Sequence, residues 1–135
     1  MENVKYLYLN TRDELFRVNI TKIVYFEADG NYTKFVMCNG QEGVVCMNLN
    51  KIKTILGERL EDMVGLFARI GKKHIINLTY VFQIAILRQR LVLSDGSSFS
   101  YQLALSKEAL RSLRDLYINA LGKKQNDKDK QIKTE

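Results

Sequence analysis

The first hundred residues are a succession of short β-branched and aromatic runs, each closed by a turn signal, with no long connection between one run and the next. "VKYLYLN" and "ELFRVNI" flank the polar "TRD", and "KIVYFEA" ends at "DGN". "NYTKFVMC" is followed by "NGQEG" and then "VVCMNL"; later, "TYVFQIAIL" and "RLVLS" flank "RQ", and Asp95-Gly96 turns into "SSFSYQ". Parallel neighbours need a crossover of about a dozen residues, so runs this short and this closely spaced predict antiparallel pairing. Asn39-Gly40 is the sharpest hairpin signal, because a type I′ turn needs the positive φ that both residues tolerate. The expected fold is mainly β, built of small antiparallel sheets, with one short helix and one C-terminal α-helix.

The two helices stand out by a change of period. "NLNKIKTILG" places Leu49, Ile52, Ile55 and Leu56 at helical spacing, with Asn48 able to cap its start and Gly57 to end it. "SKEALRSLRDLYINALG" carries an apolar stripe of Leu110, Leu113, Leu116, Tyr117 and Leu121. Ser106 can accept from its first-turn N–H groups, Glu108 suits the dipole there, and Gly122 permits a left-handed stop. Past Gly122 the chain is polar and charged and buries too little to offset its ordering entropy. The expectation is one domain over residues 1–121 and a charged, disordered tail over 122–135. No internal repeat is visible.

A net charge of +6 and a pI of about 9.3 favour an anionic partner, nucleic acid or a membrane surface. The tail holds five lysines against three acids, so two of the six charges lie there. A membrane-surface binder would need an amphipathic helix richer in Lys and bulky aromatics. No apolar run approaches a membrane span, and "MENVKYLYLN" lacks the basic and apolar regions of a secretory signal. Cys38 and Cys46 are lone residues in apparent strands rather than a CxxC pair, which fits a reduced cytoplasmic setting. The single histidine, His74, lies beside two lysines that depress its basicity, and neither cysteine has an activating context. No phosphate-binding glycine motif, carboxylate pair or metal-ligand cluster is present in the sequence. The reading is that the chain is not an enzyme and takes no cofactor, metal or small-molecule substrate.

Charge enters the apolar pattern at one place. In "FARIGKKHIINLTYV", Phe67, Ile70, Ile75, Ile76, Leu78 and Val81 read as core, yet Lys72, Lys73 and His74 interrupt them directly after Gly71. A loop at a strand end would let these three reach phosphates or base edges, with Gly71 allowing the turn. The same residues also read as a plain solvated loop. "EADGNYTKF" carries a second set: a turn at Asp29-Gly30-Asn31, then Tyr32 and Lys34 on one strand face and Thr33 on the other. It too reads as an ordinary hairpin. Lys107, Arg111 and Arg114 make a basic stripe opposite the leucines that reads as a wet helix face, and Arg88 and Arg90 read as solvated.

Taken in order, "KIVYFEADGNYTKFVMCNGQ", "NLNKIKTILG", "FARIGKKHIINLTYV" and "LVLSDGSSFSYQLALSKEAL" resemble the LytTR DNA-binding domain over roughly residues 4 to 118. The most specific pieces are "I-x-Y-F-E-A-x-x-N-Y" and "F-x-R-I-x-K-x-x-I-I-N-L". The resemblance implies a bacterial, cytoplasmic transcriptional regulator: an elongated, mainly β domain that binds double-stranded DNA through loops. It implies paired direct repeats as the target, a second copy on the DNA, and a regulatory membrane protein as a further partner. Family domains commonly follow a receiver domain; almost nothing precedes the first strand here, so the expectation is a stand-alone regulator. Target genes, and activation or repression, are not implied.

Carried over residue by residue, the family's first DNA-contacting segment falls on Thr33 and Lys34. Its second, usually His, then a basic or amide residue, then Ser, falls on Gly71, Lys72 and Lys73, with His74 adjoining. Its third, a small polar residue and then a basic one between the last hairpin and the terminal helix, is placed at Gln102 and Leu103. Gly71 can make no histidine contact and Leu103 no basic one, whereas Gln102 could pair with adenine. These two departures are what favour the alternative: a LytTR-like protein-interaction module that has lost specific DNA binding.

Overall fold

The computed structural model describes residues 5–59 and 66–132. Among them are ten strands and two helices. Strands β1 (Tyr6–Asn10) and β2 (Leu15–Asn19) form a hairpin of their own. Strands β3 (Ile23–Asp29), β4 (Tyr32–Met37), β5 (Glu42–Val45), β6 (Phe67–Ile70) and β7 (His74–Asn77) form a central sheet in the order β5-β4-β3-β7-β6. Strands β8 (Val81–Ala85), β9 (Arg90–Ser94) and β10 (Ser100–Ala104) make a third sheet in the order β10-β9-β8. Helix α1 is Leu49–Arg59 and α2 is Lys107–Ile132. Every pairing is antiparallel, as the short spacing predicts.

The central sheet is apolar on both faces, so it must be covered on both. Phe26, Phe35 and Ile75 are register partners facing one side, and Tyr25, Val36 and Ile76 face the other. The first side packs on Leu7, Leu9 and Val18 of the β1–β2 hairpin and on Leu49, Ile52 and Leu56 of α1. The second packs on Leu91, Leu93 and Leu103 of the third sheet and on Leu110 and Leu113 of α2. A bulge between Ile23 and Tyr25 lets β3 serve both layers: Ile23 stays in the first core, while Val24 and Tyr25 both enter the second. In β5, a Cβ on Gly43 would lie 2.7 Å from Cε2 of Phe35, its cross-strand partner, so the bare backbone there is what seats the Phe35 ring.

Local signals hold at the helix starts and fail at the ends. Asn48 Oδ1 accepts from Lys51 N at 2.9 Å, and Ser106 Oγ accepts from Ala109 N at 3.0 Å, so both expected caps are in place. Neither glycine stop is used: α1 runs through Gly57 to Arg59, and α2 runs through Gly122 to Ile132. A lone glycine costs a helix only about 1 kcal/mol relative to Ala, which the following Lys, Gln and Glu residues tolerate. The boundary expected at 121/122 is therefore not marked by a break in the helical backbone. Leu116, assigned to the buried stripe, is 41% exposed, whereas Leu110 and Leu113 are fully buried. The Asn39-Gly40 turn also differs from expectation. Gly40 alone takes positive φ (91°), and Asn39 instead uses its side chain to accept from Gln41 N at 2.9 Å. Cys38 and Cys46 are free and lie just past the ends of β4 and β5.

A short repeat is present that periodicity did not reveal. "NITKI" at 19–23 and "NLTYV" at 77–81 both form a 3-10 turn that leads into a strand opening on a bulge. In each, the Asn carboxamide oxygen accepts from the Thr N–H two residues on, at 3.1 Å for Asn19 and 2.9 Å for Asn77.

Candidate nucleic-acid interface

One end of the central sheet gathers four connections. The β3–β4 turn and the β6–β7 turn adjoin directly, because Ala28 N donates to Lys73 O at 2.8 Å and continues the ladder past the strand end. The link from β5 to α1 is held there by Thr33, whose hydroxyl donates to Met47 O at 2.8 Å. The first turn of α1 is held by Arg69, whose Nη1 donates to Asn50 Oδ1 at 2.6 Å. The start of α2 closes the group across a cleft of about 560 Å³, walled by Gly71, Lys72, Lys73 and His74 on one side and by Leu105, Ser106 and Ala109 on the other. Lys34, Lys51, Arg69, Lys72, Lys73 and Lys107 lie at this end, against Glu27, Asp29 and Glu108.

The structure separates the six residues singled out in the sequence. Lys72 and Lys73 are exposed in the β6–β7 turn, which Gly71 makes possible with a φ of 65°. Thr33 is fully buried: strand alternation turns it toward the first core beside Phe35, so it holds the scaffold rather than facing outward. Lys34 faces the other way and is half-buried, its ammonium 3.3 Å from Glu27 Oε1.

His74 lies under the turn, not on it. Its side chain is 7% exposed, and Nε2 is 3.1 Å from Glu27 Oε2. One carboxylate thus joins Lys34 on β4 to His74 on β7, across β3. Burial holds the imidazole below its ordinary range; Glu27 opposes that shift, and Lys73 and Lys34 add to it. His74 thus lies buried in the wall of the cleft, with Nε2 turned to Glu27 and Nδ1 without a partner among the described residues, rather than exposed on the turn.

Gln102 is exposed but lies inside β10, paired with Val92, and is not among the residues that wall the cleft. Leu103 is 7% exposed and belongs to the second core, which is why no basic residue stands there. The connection from the last hairpin to α2 begins only after Ala104, and the small polar residue followed by a basic one in that connection is Ser106-Lys107. The signal was in the sequence, in "LSKEAL", but the same residues also spell a helix start. Arg69 and Asn50 were likewise missed as parts of the site; Arg69 stands in the "F-x-R-I" motif, and only the fold brings Asn50 to it.

Among the described residues no helix is long and apolar enough to cross a membrane. No curated protein matches the chain. Among solved structures, the fold is similar to a LytTr DNA-binding domain from Bacillus cereus, with a TM-score of 0.57 and 20% identity over 84% of this chain and 97% of that one. The family profile of the LytTr DNA-binding domain, a DNA-binding and not an enzyme family, matches residues 13–118. That match spans well over half of the sequence, and the chain belongs to the LytTR family of DNA-binding domains.

Proposed function

We propose that the chain is a sequence-specific, double-stranded-DNA-binding transcriptional regulator that meets DNA with the end of the central sheet just described. The observation that carries this is the cleft: the Lys72-Lys73 turn faces Ser106 and the first turn of α2 across it, where Glu108 also lines the wall and Lys107 follows Ser106 in the chain. Lysines along one wall of a groove can hold a phosphate backbone and fix the register of the domain, while a polar group on the other wall, Ser106, reaches toward it. Membership in a DNA-binding family supports the same reading. Its action then lies where bacterial DNA lies, in the cytoplasm, on paired direct repeats occupied by two copies.

A second reading has its own support. Phe82 and Leu87, on the β8–β9 hairpin, are 65% and 81% exposed, and Gly71 presents no side chain where the family usually has histidine. A protein-interaction module that has lost specific DNA binding would use such apolar side chains. Selection from a random duplex library separates the two. Enrichment of a motif, present as two spaced copies, supports the regulator. Failure to enrich any motif, with tight capture of a protein partner abolished by Phe82→Ser, supports the module.

A further inference from the structure

We infer that Arg69 is a positioning residue for the β6–β7 turn: its guanidinium ties α1 to the carbonyl of Lys72 and so sets where the two lysines point. This rests on the proposed DNA-binding reading for its purpose, although the tie itself does not. Arg69 lies on the α1 side of β6, the face that Phe67 shares, while Ala68 and Ile70 face the second core. Nη1 donates to Asn50 Oδ1 at 2.6 Å and Nη2 donates to Lys72 O at 2.9 Å. Its Nε is buried without a partner among the described residues, and each outer nitrogen donates to one protein acceptor. A planar fork can hold two acceptors in a fixed relation; an ammonium on a flexible stem cannot.

What the fork holds on to is rigid. Asn50 sits in the first turn of α1 between Leu49 and Ile52, which are 3% and 0% exposed, and Asn48 caps that turn at Lys51 N. The β6–β7 turn is therefore pinned at two successive carbonyls: Lys72 O by Arg69, and Lys73 O by Ala28 N at 2.8 Å. With one pin removed, Lys72 and Lys73 would have to be ordered at the moment of binding, an entropic cost that the free protein has otherwise already met.

The test uses the full chain with Arg69→Ala, Arg69→Lys, Asn50→Ala and the Arg69→Ala/Asn50→Ala double variant. Two quantities are read: amide hydrogen exchange over residues 71–74 without DNA, and affinity against salt for the duplex selected above. Faster exchange in all four variants is expected, confined to the turn. Cognate affinity should fall roughly tenfold in each, from the ordering of two side chains, with an unchanged salt slope. The double variant should be no worse than Arg69→Ala, since both ends of one tie are cut. Asn50 is exposed, so its variant folds even if Arg69→Ala does not. The inference is overturned by wild-type exchange in Asn50→Ala, by additive losses in the double, or by full rescue in Arg69→Lys. A salt slope lowered by about 0.9 in Arg69→Ala would make Arg69 a phosphate contact instead. If the wild-type chain binds no duplex, the proposed function fails, and the exchange measurement still decides whether Arg69 holds the turn.

Discussion

Asn77 Nδ2 donates to the carbonyl of Ile23 at 2.8 Å, so the residue that opens the second "N-[IL]-T" turn is fastened to the first bulged strand. Asn77 is fully buried, and its Oδ1 also accepts from Thr79 N at 2.9 Å. Asn77→Ala leaves a buried carbonyl and an N–H without partners and is expected to cost about 1–3 kcal/mol in urea denaturation. Asn77→Asp keeps the acceptor for Thr79 and loses the donor for Ile23, so it should still destabilise. Asn19, which is half-buried and accepts locally from the N–H and hydroxyl of Thr21, should tolerate Ala better, because water can replace these bonds. Equal losses at the two positions would show that the cross-strand bond to Ile23 contributes nothing beyond the turn itself.

The strands were legible because turn chemistry and alternation are local: "NG", "DG" and the β-branched runs report on their own neighbourhoods. The bulge at Ile23–Tyr25 was not, because it arises from pairing with both β4 and β7. The site divides the same way. Lys72 and Lys73 could be read because they break an apolar pattern. His74 could not be placed from its neighbours, because its partner Glu27 lies 47 residues away in sequence. Lys107 was read with Arg111 and Arg114 as a wet helix face, because a basic stripe opposite buried leucines is accounted for by solvation alone. Thr33 was taken with Lys34 although strand alternation alone sends them to opposite faces.

Leu113 and Leu116 test the packing of α2. Both belong to one apparent stripe, yet Leu113 is fully buried and Leu116 is 41% exposed. Leu113→Ala should cost about 2–5 kcal/mol, and Leu116→Ala about 0.5 kcal/mol or less, by chemical denaturation. Truncation after Gly122 removes a segment whose only apolar side chain is Ile132, so its cost should also be small. A large loss on truncation would place that segment inside the domain rather than after it.

His74 predicts how stability varies with pH. Burial holds its folded-state pKa below the ordinary 6.5, so the unfolded chain takes up a proton before the folded one does. Its contribution is fully present above about pH 6.5 and is lost as pH falls through that value toward the folded-state pKa. The groups that set this are Glu27 on β3, Lys34 on β4 and Lys73 in the turn, with the Tyr25 ring 6.2 Å away. Urea midpoints for wild type should decline between pH 7.5 and 5.5, and His74→Gln should flatten that interval. A wild-type midpoint that rises as pH falls there would mean that the attraction to Glu27 outweighs burial, and the sign assigned to His74 would be wrong.

Salt dependence separates positioning from reading at the cleft. Lysines are flexible point charges and lack the fork that makes Arg a good bidentate reader of bases, so most of their contribution should be to phosphate. Lys73→Ala, in the wall of the cleft, and Lys107→Ala, next to Ser106 at the start of α2, should each lower the salt slope by about 0.9 and weaken cognate and scrambled duplexes alike. Lys72 occupies the place where the family usually sets a base-contacting residue, so Lys72→Ala should also relax preference at one position, by about 1–3 kcal/mol. Gln102, exposed in β10 but not among the residues that wall the cleft, should be replaceable by Ala without change in slope or preference. Affinity against salt for both duplexes decides each case. If Gln102→Ala shifts preference while Lys107→Ala does nothing, the interface follows β10 instead of the start of α2. If all three lysine variants match wild type on both duplexes, the turn is only solvated, and the DNA-facing surface must be sought elsewhere on a fold that would remain as described.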